Sequence, residues 1–155
     1  MRSKSSVLAL PVLLGSLSFA HADATMTGKV SVPKTISGIT SSLACHDFSI
    51  GAFEVPSCPA GQLCPSLGKE IKSVDLSGTY STGKCSYSLD VPGNKKFLIS
   101  IQQTSHMPKC ANASSGWFLS VSVKGPNPFD VSGLPSGVTI TADYEVAASC
   151  QKPPP

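Results

Sequence analysis

Six cysteines constrain this chain more than any other feature: Cys45, Cys58, Cys64, Cys85, Cys110 and Cys150, all downstream of a segment with the marks of a secretory leader. An even number of thiols in an exported chain of this length reads as three disulfides formed in an oxidising compartment. The leader reading rests on residues 1–22. Arg2 and Lys4 supply a positive start, residues 7–19 an apolar run, and Ala20-His21-Ala22 the small-x-small pattern that signal peptidase reads. The apolar run is too short to span a bilayer, and no later segment has the length a membrane helix needs. The expected mature chain starts at Asp23, has no membrane span, and is secreted or periplasmic.

Without Arg2 and Lys4, ten basic residues face nine acidic ones, so the mature chain is nearly neutral. That balance excludes the electrostatic footprint of a nucleic-acid binder. Residues 23–151 fit one domain. Residues 152–155, Lys-Pro-Pro-Pro, cannot join a ladder and read as a disordered tail.

Period-two alternation recurs along the chain, and no stretch shows capped helical periodicity. Cys85, Tyr87, Leu89 and Val91 alternate with Ser86, Ser88 and Asp90. Trp117, Leu119, Val121 and Val123 alternate with Phe118, Ser120, Ser122 and Lys124, and Val138, Ile140, Ala142, Tyr144 and Val146 form a third series. Such alternation marks strands with one buried and one wet face. Weaker strands are expected over residues 27–32, 43–50, 69–76 and 97–102. In 43–50 the apolar phase switches between Cys45 and Phe48, which predicts a bulge near His46-Asp47. Pro92-Gly93-Asn94 has turn chemistry, so 84–102 reads as a hairpin. The Gly- and Pro-rich stretch 125–137 reads as a long loop. Seven strands without a helix predict an all-β fold: a single antiparallel β-sandwich, immunoglobulin-like or prealbumin-like, stapled by disulfides.

Gly28-Lys29-Val30-Ser31-Val32, and later the run from Gly78-Thr79-Tyr80 through Tyr87 to Val91-Pro92, resemble the carboxypeptidase regulatory-like domains. Those modules share the prealbumin fold. The resemblance covers about half the mature chain and carries over no catalytic residues, because such modules are typically non-enzymatic.

The expected disulfide pairing is Cys45 with Cys150, Cys58 with Cys64 and Cys85 with Cys110. Cys58 and Cys64 flank five residues with two turn formers. Cys45–Cys150 would close a loop of about a hundred residues, worth roughly 4–5 kcal/mol in the chain-entropy model. Cys85 and Cys110 sit at the two arms of the expected hairpin. Zinc is disfavoured because no paired C-x-x-C knuckles occur.

No Gly-x-Ser-x-Gly elbow is present and the acidic residues are scattered, so no enzyme, cofactor or resident metal is expected. The expected function is a non-enzymatic binding or structural module whose partner is an extracellular or periplasmic protein or glycan. A carbohydrate-binding module is one alternative, which would need aromatics exposed together. Trp117, Tyr87 and Tyr144 fall on core faces, whereas Phe118 faces out and is the candidate surface contact. An exported copper-binding protein is the other alternative. It would use His21 at the mature terminus, completed by His46 or His106 with Met107. Nothing in the spacing brings His46 and His106 together, so tight copper binding is not expected. Asn112-Ala113-Ser114 matches an N-glycosylation acceptor in a loop.

Overall fold

In a computed structural model, residues 23–154 are described except Thr40, Cys64 and Asn94. The leader, His21 and Pro155 therefore lie outside the described residues. Where the sequence alternates, strands form. Among the described residues there are nine, with three short 3₁₀ turns and no α-helix.

One sheet has the order β4 (Lys84–Val91), β1 (Ala24–Ser31), β9 (Tyr144–Gln151), β6 (Phe118–Lys124), with β8 (Thr139–Thr141) also on β1. The other runs β3 (Glu70–Asp75), β2 (Phe48–Glu54), β5 (Lys96–Gln103), β7 (Phe129–Asp130). Side chains from both sheets share one core. Met26, Val30, Cys85, Tyr87, Leu89 and Val91 come from the first, and Phe48, Ile50, Phe97, Ile99 and Ile101 from the second. Each set alternates with exposed or half-buried residues, as strands with a single buried face require, except in β2, where Gly51 and Phe53 on the other face are buried too.

Several expectations are corrected. The sandwich is not wholly antiparallel, because β1 runs parallel to both β8 and β9. The series from Val138 to Val146 keeps its phase but divides into two strands at Ala142-Asp143, where backbone pairing is interrupted. There the Asp143 carboxylate accepts the Lys29 N–H at 2.8 Å, and Ala142 donates to the Thr27 carbonyl at 2.9 Å. Gly28 makes this close approach feasible, since a Cβ on it would stand 2.0 Å from the Ala142 oxygen. The loop 125–137 contributes β7, and together with the division of the last strand this brings the count from seven to nine among the described residues.

No bulge forms at His46-Asp47. A 3₁₀ turn over Cys45–Asp47 changes the phase instead, and β2 begins only at Phe48. Asp47, 4% exposed, holds this turn: its Oδ2 accepts the Ala44 N–H at 2.7 Å. The hairpin over 84–102 does not form either. β4 pairs with β1 and β5 with β2, so the turn after Val91 carries the chain from one sheet to the other. Turn residues specify a reversal of direction; they do not specify whether the next strand pairs beside the last or faces it across the core.

That crossing also overturns two of the expected disulfides. Cys45 pairs with Cys85, Cα atoms 5.6 Å apart, and Cys110 pairs with Cys150, Cα atoms 5.9 Å apart. The first joins the 3₁₀ turn before β2 to β4 across the two sheets. The second ties the β5–β6 loop to β9. Cys85 and Cys110 cannot meet, because β4 lies at one edge of its sheet and β6 at the other. Cys58 is disulfide-bonded, and Cys64 lies outside the described residues. A fold with bridges of this kind belongs in an oxidising compartment. No helix among the described residues is long and apolar enough to cross a membrane.

Candidate functional site

The two sheets close unequally. At one end the β5 edge is covered: Lys96 and Phe97 pair with Asp130 and Phe129 of β7. Beyond β7, the Asn127 side chain stands in for a strand. Its Oδ1 accepts the Ile99 N–H at 3.1 Å and its Nδ2 donates to the Ile99 carbonyl at 2.9 Å. Both backbone groups of Ile99 therefore face away from β2. Strand geometry repeats every two residues, so Ile101 and Gln103 turn their N–H and C=O groups the same way. Among the described residues, no strand or side chain meets them there.

β6 is the matching edge of the other sheet, paired among the described residues with β9 alone. Between β5 and β6 lies a groove made of two continuous depressions that share Gln103 and Leu119. One, about 370 Å³, is lined by Ile101, Leu119 and Val121 with Ser100, Gln102 and Gln103. The other, about 480 Å³, extends to Met107, Cys110, Trp117 and Phe118. The lining is mixed: Leu119 and Val121 lie beside Ser100, Gln102 and Gln103, with Thr104, Ser105 and Lys109 on the loop side.

Local sequence explains the walls. Leu119, Val121 and Val123 share the inward face of β6 and are half-buried against the core, and Leu119 and Val121 line the groove. Phe118, on the outward phase, remains 47% exposed, where the sequence analysis places it. Trp117 precedes the strand and is half-buried. The loop wall is held covalently by Cys110–Cys150, and Ala111 donates to the Gly38 carbonyl at 2.7 Å. A groove whose walls are fixed in advance loses less entropy when it is filled.

A second cluster lies just past the end of β5. His46 and His106 stand edge to face, ring centroids 5.4 Å apart. The sequence gives no reason for this approach, and the structure corrects that expectation. Thr104 joins the two: its hydroxyl donates to the His46 carbonyl at 2.8 Å and accepts the His106 N–H at 3.2 Å. Met107, grouped with these histidines in the sequence reading, is instead buried against the core and lines the groove. No set of three or more His, Cys, Asp or Glu side chains placed to hold a metal occurs among the described residues. Asp23, the first described residue, bonds to Gly137 beside the Ala24–Val91 end of β1. His46 adjoins Cys85, which pairs with Val30, some 20 Å away along the strand at about 3.3 Å per residue.

Elsewhere the tyrosines serve the core. Tyr87 donates to the buried Ala142 carbonyl at 2.7 Å and Tyr144 to the Pro126 carbonyl at 3.1 Å. Burial, then the negative charge of Asp143, raises the Tyr87 phenol well above its ordinary pKa; burial, then Tyr87, does the same for Tyr144. Tyr80 donates to the Pro33 carbonyl, and its pKa is raised by burial and then by the Asp47 charge. Asn112 of the glycosylation motif is exposed beside the 3₁₀ turn Ala113–Ser115.

The sequence reading missed Ile101, Gln103, Asn127 and Thr104 as site residues. None carries a local signal: the openness of the β5 edge follows from sheet order and from the shortness of β7. No family model matches the chain, and no curated protein or solved structure matches it either.

Proposed function

We propose that this protein is an exported, non-enzymatic binding module that takes an extended polypeptide segment into the groove between β5 and β6. The observation that carries this reading is the unpaired backbone of Ile101 and Gln103 beside the half-buried Leu119 and Val121. A row of free N–H and C=O groups on an edge strand is a template for another backbone, and alternate side chains of an added strand would drop onto Leu119, Val121 and Met107. Natural proteins usually blunt such an edge with a cover, a charge or a bulge. Asn127 and β7 cover this edge as far as Ile99, and the rest stays bare. The leader sequence, the disulfides and the resemblance to non-enzymatic prealbumin-like modules support the secreted or periplasmic part of the reading.

Trp117, the single tryptophan, borders the groove and reports on its occupancy. Fluorescence titration with strand-length peptides of about six alternating valine and threonine residues is the test. The spectrum is expected to shift in a saturable way, and Gln103→Pro is expected to abolish the shift. Proline there removes an N–H that faces the open edge and leaves the β2 ladder intact, so the fold persists. Saturable shifts with cello- or chito-oligosaccharides and none with peptides would overturn the polypeptide reading in favour of a carbohydrate module. A peptide response that Gln103→Pro leaves unchanged would remove the β5 edge from the mechanism.

A further inference from the structure

The His46–His106 pair has no part in the groove, and its separation is one that two ligands of a single ion can also have. Two imidazoles bound through nitrogen at about 2.1 Å to one tetrahedral ion hold their ring centroids roughly 5–5.5 Å apart. The observed separation is 5.4 Å, with the rings 84° to one another. We propose that His46 and His106 form a surface site for a divalent late transition-metal ion of the Zn(II) or Cu(II) type, with water completing its coordination.

Thr104 prepares the ligands. Its hydroxyl proton is committed to the His46 carbonyl, so its oxygen faces His106 Nδ1, 3.4 Å away, as an acceptor. Nδ1 of His106 then carries the ring proton, and Nε2 keeps the lone pair a metal needs. A hydrogen bond that fixes the tautomer and orientation of a histidine is the usual outer-shell support of a metal ligand. His46 is held through its main chain by the same hydroxyl and by the Cys45–Cys85 bridge beside it.

The charge around the pair also favours a cation. Asp47 Oδ1 lies 3.8 Å from His46 Nε2, and the carboxylate is buried with its other oxygen on the Ala44 N–H. It supplies negative charge next to the ion without being needed as a ligand. The His46 side chain is 60% exposed and His106 is exposed, so an ion reaches the nitrogens freely and retains water. Imidazole nitrogen with water suits Zn(II) and Cu(II), whereas magnesium and calcium prefer oxygen ligands throughout.

Calorimetric titration of the disulfide-intact mature protein with zinc chloride, and separately with copper(II) chloride, tests the proposal. Stoichiometric binding is expected in the wild type and none at this site in His46→Ala, His106→Ala. Thr104→Val keeps both imidazoles and is expected to weaken binding about tenfold, the lower end of outer-shell effects. Long-range nitrogen NMR with Zn(II) should move both Nε2 resonances and leave His106 Nδ1 protonated. All variants touch exposed or half-buried positions, and a urea midpoint near that of the wild type shows that each is folded. Wild-type binding no tighter than that of the double variant, or zinc shifts confined to carboxylates, would overturn the site.

Discussion

Tyr144 and Glu145 are neighbours in the chain that the pleat of β9 sends to opposite faces, one 3% exposed and the other in solvent. Tyr144→Ala removes a large buried side chain and is expected to cost about 3–5 kcal/mol. Glu145→Ala should stay within about half a kcal/mol. Urea midpoints of the two variants measure the difference. At Gly28 the limit is set by backbone instead: Gly28→Ala would drive a methyl into the Ala142 carbonyl, and overpacking of this kind costs about 1–3 kcal/mol or more. The buried phenols add a pH dependence whose sign is fixed. The pKa of Tyr87 and of Tyr144 is raised in the folded state, so only the unfolded chain gains by ionising near its ordinary value of about 10. Stability is therefore fully present below about pH 10 and falls as the pH rises past it. Urea midpoints taken from about pH 8 to about pH 11 should show that fall, and Tyr87→Phe should make it shallower. Phenylalanine lacks both the titrating proton and the bond to the Ala142 carbonyl, so its stability at neutral pH should already be lower by about 1 kcal/mol.

Among the elements, the two described disulfides do different work although each spans a sequence separation of 40. The chain-entropy model gives about 4 kcal/mol for a loop of that length. Cys45–Cys85 spans the two sheets and fixes the turn that carries His46. Cys110–Cys150 fixes the loop wall of the groove. Replacing either pair with alanine should lower stability by a similar amount. Loss of Cys110–Cys150 should in addition alter the fluorescence of Trp117, seven residues from Cys110, whereas loss of Cys45–Cys85 should leave it unchanged. Equal spectra in the two variants would mean that the groove wall does not depend on its bridge. The edge strands show how far local pattern reaches. The inward phase of β4, β6, β8 and β9 is written in alternating residues, and so is the outward position of Phe118. The bare edge of β5 is not, since Ile99, Ile101 and Gln103 carry nothing in their side chains that says which neighbour their backbone will find.

For the molecule as a whole, the even cysteine count predicts a protein with no free thiol. Mass spectrometry of the alkylated, non-reduced mature protein should show no adducts, and peptide mapping should recover Cys45 with Cys85 and Cys110 with Cys150. The absence of α-helix among the described residues and the apolar half of each main strand were legible in the sequence, because side-chain period and turn chemistry are local properties that each segment expresses alone. The cysteine pairing, the division of strands between sheets and the approach of His46 to His106 were decided only in three dimensions. Each depends on which edge a strand occupies, and a reversal of the chain looks the same in sequence whether the next strand lies beside the last or across the core. The turn after Val91 takes the second course. That one crossing separates Cys85 from Cys110 and sets β5 opposite β6, so the groove follows from a choice that no single segment records.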